Sequence, residues 1–81
     1  MLKISLHQAI ELFGWYGIIA ILIAYAGTSF EAFSVHSLPY LLLNLSGSIG
    51  VLWNASTKKD WPASVLNGIW ALIALVQLFR L

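Results

Sequence analysis

The stretch that decides the fold is residues 12–30, LFGWYGIIAILIAYAGTSF, which contains no charged side chain. Two more uncharged stretches follow, at residues 32–57 and 61–79. A helix rises 1.5 Å per residue, so crossing the roughly 30 Å hydrocarbon core of a bilayer takes about 20 residues. The sequence therefore predicts an all-α membrane protein with three transmembrane helices, at about residues 12–30, 37–55 and 61–79.

The composition supports a membrane location and excludes several classes of protein. The 81 residues are 60% hydrophobic and 9% charged, whereas about a quarter of the residues of a soluble domain are charged. Three spans use about 60 residues, so residues 1–81 are predicted to form a single membrane domain surrounded by lipid. The chain has no cysteine, which excludes disulfides and thiolate metal sites, and its net charge of +1 is too small to indicate a nucleic-acid partner.

Local signals mark the ends of the helices. Pro39 fits the first turn of the second helix, and Asp60 is placed to cap the third, with Pro62 in its first turn. Residues 1–13 are either an interfacial segment or the first turns of the first span. A cleavable signal peptide is the alternative for the first span, because residues 24–26 resemble a cleavage site. Aromatic residues at positions 15 and 16 are typical of interfacial anchors and favour a retained span.

Basic residues give the predicted orientation. Lys3, Lys58 and Lys59 lie on one side of a three-span protein, and Arg80 lies on the other. The positive-inside rule then places the N-terminus in the cytoplasm of a multi-pass inner-membrane protein.

Polar residues inside the predicted spans are the candidate functional groups. Tyr40, Asn44 and Ser48 follow one face of the second helix, while Asn67 and Trp70 share a face of the third. A polar side chain in hydrocarbon needs a partner or a wet cavity. These amides are therefore either hydrogen-bonded links between helices or groups that line a pocket for a polar solute, in which an aromatic ring covers the apolar faces.

Small residues predict close helix packing. Gly17, Ala20, Ala24 and Gly27 form a narrow stripe on the first helix. Small side chains let helix backbones approach each other in a membrane.

The sequence gives no indication of an enzyme or of a bound cofactor. The two histidines, His7 and His36, fall near opposite ends of the predicted spans, so neither forms a metal site within one chain. No acidic residue lies in the middle of a span, whereas coupled carriers generally use a buried carboxylate. Transport, if it occurs, is therefore predicted to be passive. Three helices enclose no lumen, so a path for a solute requires a second copy, and we expect a homodimer with its site between the repeats.

The chain resembles the SemiSWEET group of the PQ-loop superfamily, whose three-span half-transporters dimerise to carry small sugars. The resemblance covers nearly the whole chain and is carried by Gly14-Trp15, Leu52-Trp53, Asp60-Trp61-Pro62 and Asn67. It implies a SWEET-like triple-helix bundle in which Asn67 and Trp53 line the sugar pocket. The alternative for Trp53, as for Tyr40 and Trp61, is an interfacial anchor, because all three fall near predicted membrane interfaces. Tyr25-Ala26-Gly27-Thr28 stands where that superfamily has its proline hinge, which makes Gly27 the candidate hinge.

The chain also resembles a group of small three-span bacterial membrane proteins. That resemblance is carried by Gly14-Trp15-Tyr16-Gly17, Ala24-Tyr25, residues 40–44, Trp61-Pro62 and residues 67–70. It implies the three-helix fold without implying a substrate.

Together these features predict a half-transporter that works as a homodimer and allows facilitated passage of a small neutral polar solute resembling a sugar. The predicted substrate-binding residues are Asn67, Trp70, Asn44, Trp53 and Tyr40. The alternative is an accessory or assembly subunit of a larger membrane complex, with no transport activity of its own.

Overall fold

The computed structural model describes residues 4–80, which form three α-helices: α1 (Leu6–Ser29), α2 (Leu38–Thr57) and α3 (Trp61–Phe79). The predicted all-α fold with three helices is confirmed. Helix α1 begins six residues before the predicted span, so residues 6–13 are its first turns. Lys3, which contributed to the predicted orientation, lies outside the described residues.

The starts of α2 and α3 have the residues that the sequence indicated, and α1 begins with a further capping motif. Ser5 accepts a hydrogen bond from the backbone N–H of Gln8, whose side chain in turn accepts one from the Ser5 N–H, forming a capping box. The Asp60 carboxylate accepts a hydrogen bond from the Ala63 N–H at 3.4 Å. Proline occupies the first turn of both α2 and α3.

The first two helices end in the same motif. Glu31 and Lys59, each just past a helix end, adopt the left-handed conformation with φ of 61° and 57°. The N–H of the next residue donates to the carbonyl five positions earlier, from Ala32 to Gly27 and from Asp60 to Ala55. These are Schellman motifs, and both place a non-glycine residue where glycine is preferred.

The helices pack in chain order, with α2 between the other two. Helix α1 contacts α2 and α2 contacts α3, while no contact joins α1 to α3 within residues 4–80. Each neighbouring pair is antiparallel. Along α1, Gly14 lies against Asn54 and the later Gly17 lies against the earlier Gly47. The end of α2 meets the start of α3, where Ser56 is hydrogen-bonded to Ser64. This sequential layer gives no support to the SWEET-like bundle that the resemblance implied.

The contact between α1 and α2 depends on the predicted small-residue stripe. Ala20 and Ala24 are 2% exposed, and Gly17 is buried directly against the backbone of Gly47. Ala24 belongs to the segment that resembled a cleavage site, and here it packs inside an unbroken helix against α2.

Large apolar side chains lie outside and small or polar ones inside, the reverse of a water-soluble core. The buried hydrophobic residues of the described chain are four alanines and one leucine: Ala20, Ala24, Leu41, Ala55 and Ala74. Helices α1 and α3 are long and apolar enough to cross a membrane, which suggests a membrane location. Helix α2 is not among the helices that meet this criterion; its sequence includes two asparagines and three serines.

Within residues 4–80, the charged side chains lie at the two ends of the layer. Glu11 and Lys58 form an ion pair at one end, with Asp60 nearby in the chain, and Glu31 and Arg80 lie at the other. Both Glu11 to Glu31 and Asp60 to Arg80 are 20 residues of chain, or about 30 Å of helix. The uncharged zone therefore matches the thickness of a bilayer core.

Candidate functional site

Asn67, the central residue of the predicted pocket, is enclosed within the chain. It is 5% exposed, and its side-chain amide donates a hydrogen bond to the Ala63 carbonyl one turn earlier at 2.9 Å. Its side-chain oxygen is buried without a hydrogen-bond partner. Within a single chain, the Asn67 amide is therefore closed off from a solute.

Asn44 is placed differently. Its side chain is half-buried and makes no hydrogen bond to any other residue in the range 4–80. Seven residues separate it from Val51, so the two lie on one face of α2, two turns apart. Val51 lines a cavity of about 160 Å³ with Trp15 and Ile18 of α1. We call this side of the layer the Asn44 face, defined on α2 by Tyr40, Asn44 and Val51.

Trp53 lies on the opposite side of α2. It is nine residues from Asn44, which turns the helix by about half a revolution. Its ring packs against Phe13 of α1 with the ring centroids 5.1 Å apart. Leu42 and Ile49 are exposed on this same side. One chain therefore does not bring Trp53 and Asn44 into a common pocket.

Trp70 lies on the same side of the layer as Asn44. The hydrogen bond between Ser56 and Ser64 lies on the flank of the α2–α3 contact that faces away from Asn44. Helical spacing places Trp70 and Gln77 of α3 on the flank that faces toward Asn44. The Trp70 side chain is 41% exposed. Of the predicted binding residues, Asn44, Tyr40 and Trp70 thus share one side of the layer.

Gly27, the candidate hinge, lies in the last turn of a continuous α1. Its carbonyl accepts hydrogen bonds from the N–H groups of Ala32 and Phe33 at 2.7 and 3.3 Å. The Phe33 ring also packs over the glycine and approaches Tyr40, with the ring centroids 6.5 Å apart. In this structure Gly27 therefore permits a close loop contact within an unkinked helix.

A polar cluster that the sequence analysis missed links α1 to α2 at one end of the layer. Lys58 lies 2.6 Å from Glu11, and the Asn54 amide donates to the Ile10 carbonyl at 3.1 Å and to Glu11 at 3.4 Å. These residues are more than 40 positions apart in sequence, so periodicity could not pair them. The one sequence signal for this cluster was Glu11, a single acidic residue near the start of an apolar helix.

A cavity at the other end gathers residues that the sequence placed in separate segments. His36, Leu41, Gln77 and Arg80 line a space of about 420 Å³. Leu41 is fully buried and forms its apolar wall. No carboxylate is among these lining residues.

Across residues 4–80, no group of three or more His, Cys, Asp or Glu side chains is positioned to hold a metal ion.

The fold and its polar interfaces define a small three-helix protein with two candidate membrane-spanning helices. Residues 10–81 match the model of a single protein family, and the chain belongs to that family over nearly its whole length. The match provides no link to the SemiSWEET or PQ-loop proteins. No curated protein and no solved structure matches the chain.

Proposed function

We propose that the protein crosses the membrane three times and acts as an assembly subunit, and that the Asn44 face binds a partner helix. Short connections support the third crossing. Helix α2 runs antiparallel to both neighbours and is joined to α3 by three residues. If α1 and α3 cross the bilayer in the same direction, α2 has to return across it.

The half-buried Asn44 amide is the observation that carries this proposal. Measured along the axis of α2 at 1.5 Å per residue, Asn44 lies about 12 Å from His36 and about 21 Å from Lys58. An amide at that depth has no water to bind and no acceptor in the lipid. Because no residue in the described chain satisfies Asn44, a second polypeptide is the natural source of its partner.

The polar groups between the helices favour assembly over transport. Asn67 is closed within the α2–α3 contact, where its amide donates to Ala63 of its own helix. The Tyr16 hydroxyl is hydrogen-bonded to Ser46 across α1 and α2 at 2.7 Å. Asn44 lies outside these contacts, and its half-buried amide is the one accessible to a partner helix.

A passive carrier made of two copies is the second candidate. Two Asn44 faces turned toward each other would place an amide and the exposed Trp70 ring from each copy around a shared space. An amide beside an aromatic ring suits a small neutral polar solute such as a sugar. This form is a homodimer, with the N-terminus proposed to be cytoplasmic in the inner membrane.

Cross-linking tests the role of the Asn44 face. The chain has no cysteine, so Tyr40→Cys introduces a unique thiol on the Asn44 face and leaves the Asn44 amide in place. Ile49→Cys is the matched control on the opposite side of α2. In native membranes, we expect a bifunctional thiol-to-amine cross-linker to trap a stoichiometric partner from position 40 and none from position 49. Equal trapping from both positions, or none from either, would contradict the proposal.

Two further measurements separate the candidates. Asn44→Leu is expected to reduce co-purification of the trapped partner, while Ile49→Ala leaves it unchanged. If the trapped species is a second copy, proteoliposomes should be assayed for uptake of a panel of sugars. Uptake above that of empty vesicles, lost in Asn44→Leu, identifies the carrier, whereas a larger trapped membrane protein identifies the subunit.

A further inference from the structure

We propose that the cavity lined by His36, Leu41, Gln77 and Arg80 is an anion site for a phosphate group, either on a membrane lipid or on a free phosphate compound. We call this cavity the Arg80 cavity. It does not depend on the assembly role, because it lies at an end of the layer and Asn44 is not among its lining residues.

Antiparallel packing of α2 against α3 creates the cavity. His36 lies in the loop two positions before α2, and Arg80 caps the end of α3. Gln77 is three positions before Arg80, and the fully buried Leu41 closes the floor. The volume of about 420 Å³ is within the usual range for small-molecule pockets.

The lining groups are suited to an oxygen-rich anion. A guanidinium carries a permanent charge and five N–H donors in a planar fork that matches phosphate. The Gln77 amide and the His36 ring can add N–H donors. The side chain of Ser37 does not cap the first turn of α2 and instead donates to the Ser34 carbonyl at 2.6 Å. The first turn therefore leaves N–H dipoles that add to the positive potential.

The cations at the opposite end of the layer are accompanied by acidic residues. Among the described residues there, Lys58 lies 2.6 Å from Glu11, and Asp60 directly follows Lys59. At the Arg80 end, the acidic residue Glu31 does not line the cavity, and Arg80 has no ion pair within residues 4–80. Within the described residues, the Arg80 guanidinium is therefore available to an anion in the cavity.

The depth of the cavity fits a lipid headgroup. Arg80 is about 30 Å of helix from Asp60, which places it at the phosphate level if α3 crosses the bilayer. Exposed apolar side chains of α3, such as Ile73 and Val76, would then contact the acyl chains.

Binding to the purified, detergent-solubilised full chain tests the proposal. The probes are phosphatidylglycerol, diacylglycerol with the same acyl chains, and inorganic phosphate. We expect phosphatidylglycerol to bind more tightly than diacylglycerol, and Arg80→Gln to weaken its binding by about tenfold or more. Arg80→Lys, which keeps the charge but loses the fork, should fall between the two. Lys59→Gln removes one charge at the opposite end and should bind as the unchanged chain does.

The outcomes distinguish a lipid from a free phosphate compound and show which results overturn the proposal. Inorganic phosphate that competes with the lipid at similar concentration indicates a free phosphate compound, and failure to compete indicates the lipid. Equal binding of phosphatidylglycerol and diacylglycerol overturns the proposal. So does an equal loss in Lys59→Gln and Arg80→Gln when circular dichroism shows both variants folded. None of these results depends on the outcome of the cross-linking experiment on the Asn44 face.

Discussion

The contact between Gly17 and Gly47 allows a direct test of how α1 and α2 are held together. A methyl group added at Gly17 would meet the Gly47 carbonyl oxygen and would lie 2.9 Å from the backbone nitrogen of Val51. Both atoms belong to the α2 backbone, so rotation of a side chain cannot relieve the contact. At Gly68 of α3, the same added methyl meets only the end of Leu52, at 3.9 Å.

The two positions form a matched pair for Gly→Ala substitution. Both lie inside helices, so each alanine gains about 0.5–1 kcal/mol of helix stability. At Gly17 the helices must separate by roughly 1 Å to reach normal contact near 3.5 Å, which forfeits a quarter to a half of the local dispersion energy. Overpacking of this kind costs about 1–3 kcal/mol. Because the helix terms cancel, Gly17→Ala should be less stable than Gly68→Ala by about 1–3 kcal/mol.

Reversible unfolding in mixed detergent micelles measures this difference. Far-ultraviolet circular dichroism reports the loss of helix, and intrinsic fluorescence reports the combined change in environment of the four tryptophans. The measurement should be made where both variants have the same oligomeric mass, so that self-association does not contribute. If Gly17→Ala is as stable as Gly68→Ala, the close approach of α1 and α2 is wrong.

Three further substitutions test other contacts by the same unfolding assay. Glu31→Gly should raise the free energy of unfolding by about 1 kcal/mol, because it removes the cost of a left-handed non-glycine residue; a loss of stability would contradict the cap. Ser48→Ala removes a fully buried hydroxyl without a partner, so stability should stay unchanged or rise, and a drop above about 1 kcal/mol would reveal a hydrogen bond that the structure lacks. Tyr16→Phe removes the 2.7 Å hydrogen bond to Ser46 and should lower the free energy of unfolding by about 0.6 kcal/mol. An unchanged free energy of unfolding would contradict this hydrogen bond and would indicate that the hydroxyl faces the headgroups.

Local signals in the sequence predicted the helices well. The uncharged stretches and the cap at Asp60 depend on residues within a few positions of each other, so a single chain segment contains the necessary information. Helix α2 continues through Thr57, two residues past the predicted span. The Thr57 hydroxyl donates to the Asn54 carbonyl at 2.8 Å, and Ser56 donates to Ser64 of α3 at 3.2 Å. Because the acceptor Ser64 belongs to another helix, this hydrogen bond could not be predicted from the residues at the end of α2.

Contacts between residues far apart in the chain could not be predicted from the sequence for the same reason. The charge pattern showed only that no acidic residue lies in the middle of a span, and it did not predict that Glu11 of α1 pairs with Lys58 after α2. Likewise, His36 and Arg80 were treated as separate end residues, although antiparallel packing places both on one cavity. Periodicity assigns a residue to a face of its own helix, but the identity of the neighbouring helix depends on the packing order.

The two asparagines show how that packing order decides function. Asn44 and Asn67 are the same residue type on polar stripes of similar spacing, and both were predicted to bind a polar solute or to link helices. With α2 in the middle, two of its faces are already occupied, and Asn67 of α3 points into one of the two contacts. Asn44 falls beside those contacts and keeps an unsatisfied amide. Any activity that needs a polar group within the membrane should therefore depend on Asn44 more than on Asn67, and replacement of Asn67 should mainly change stability.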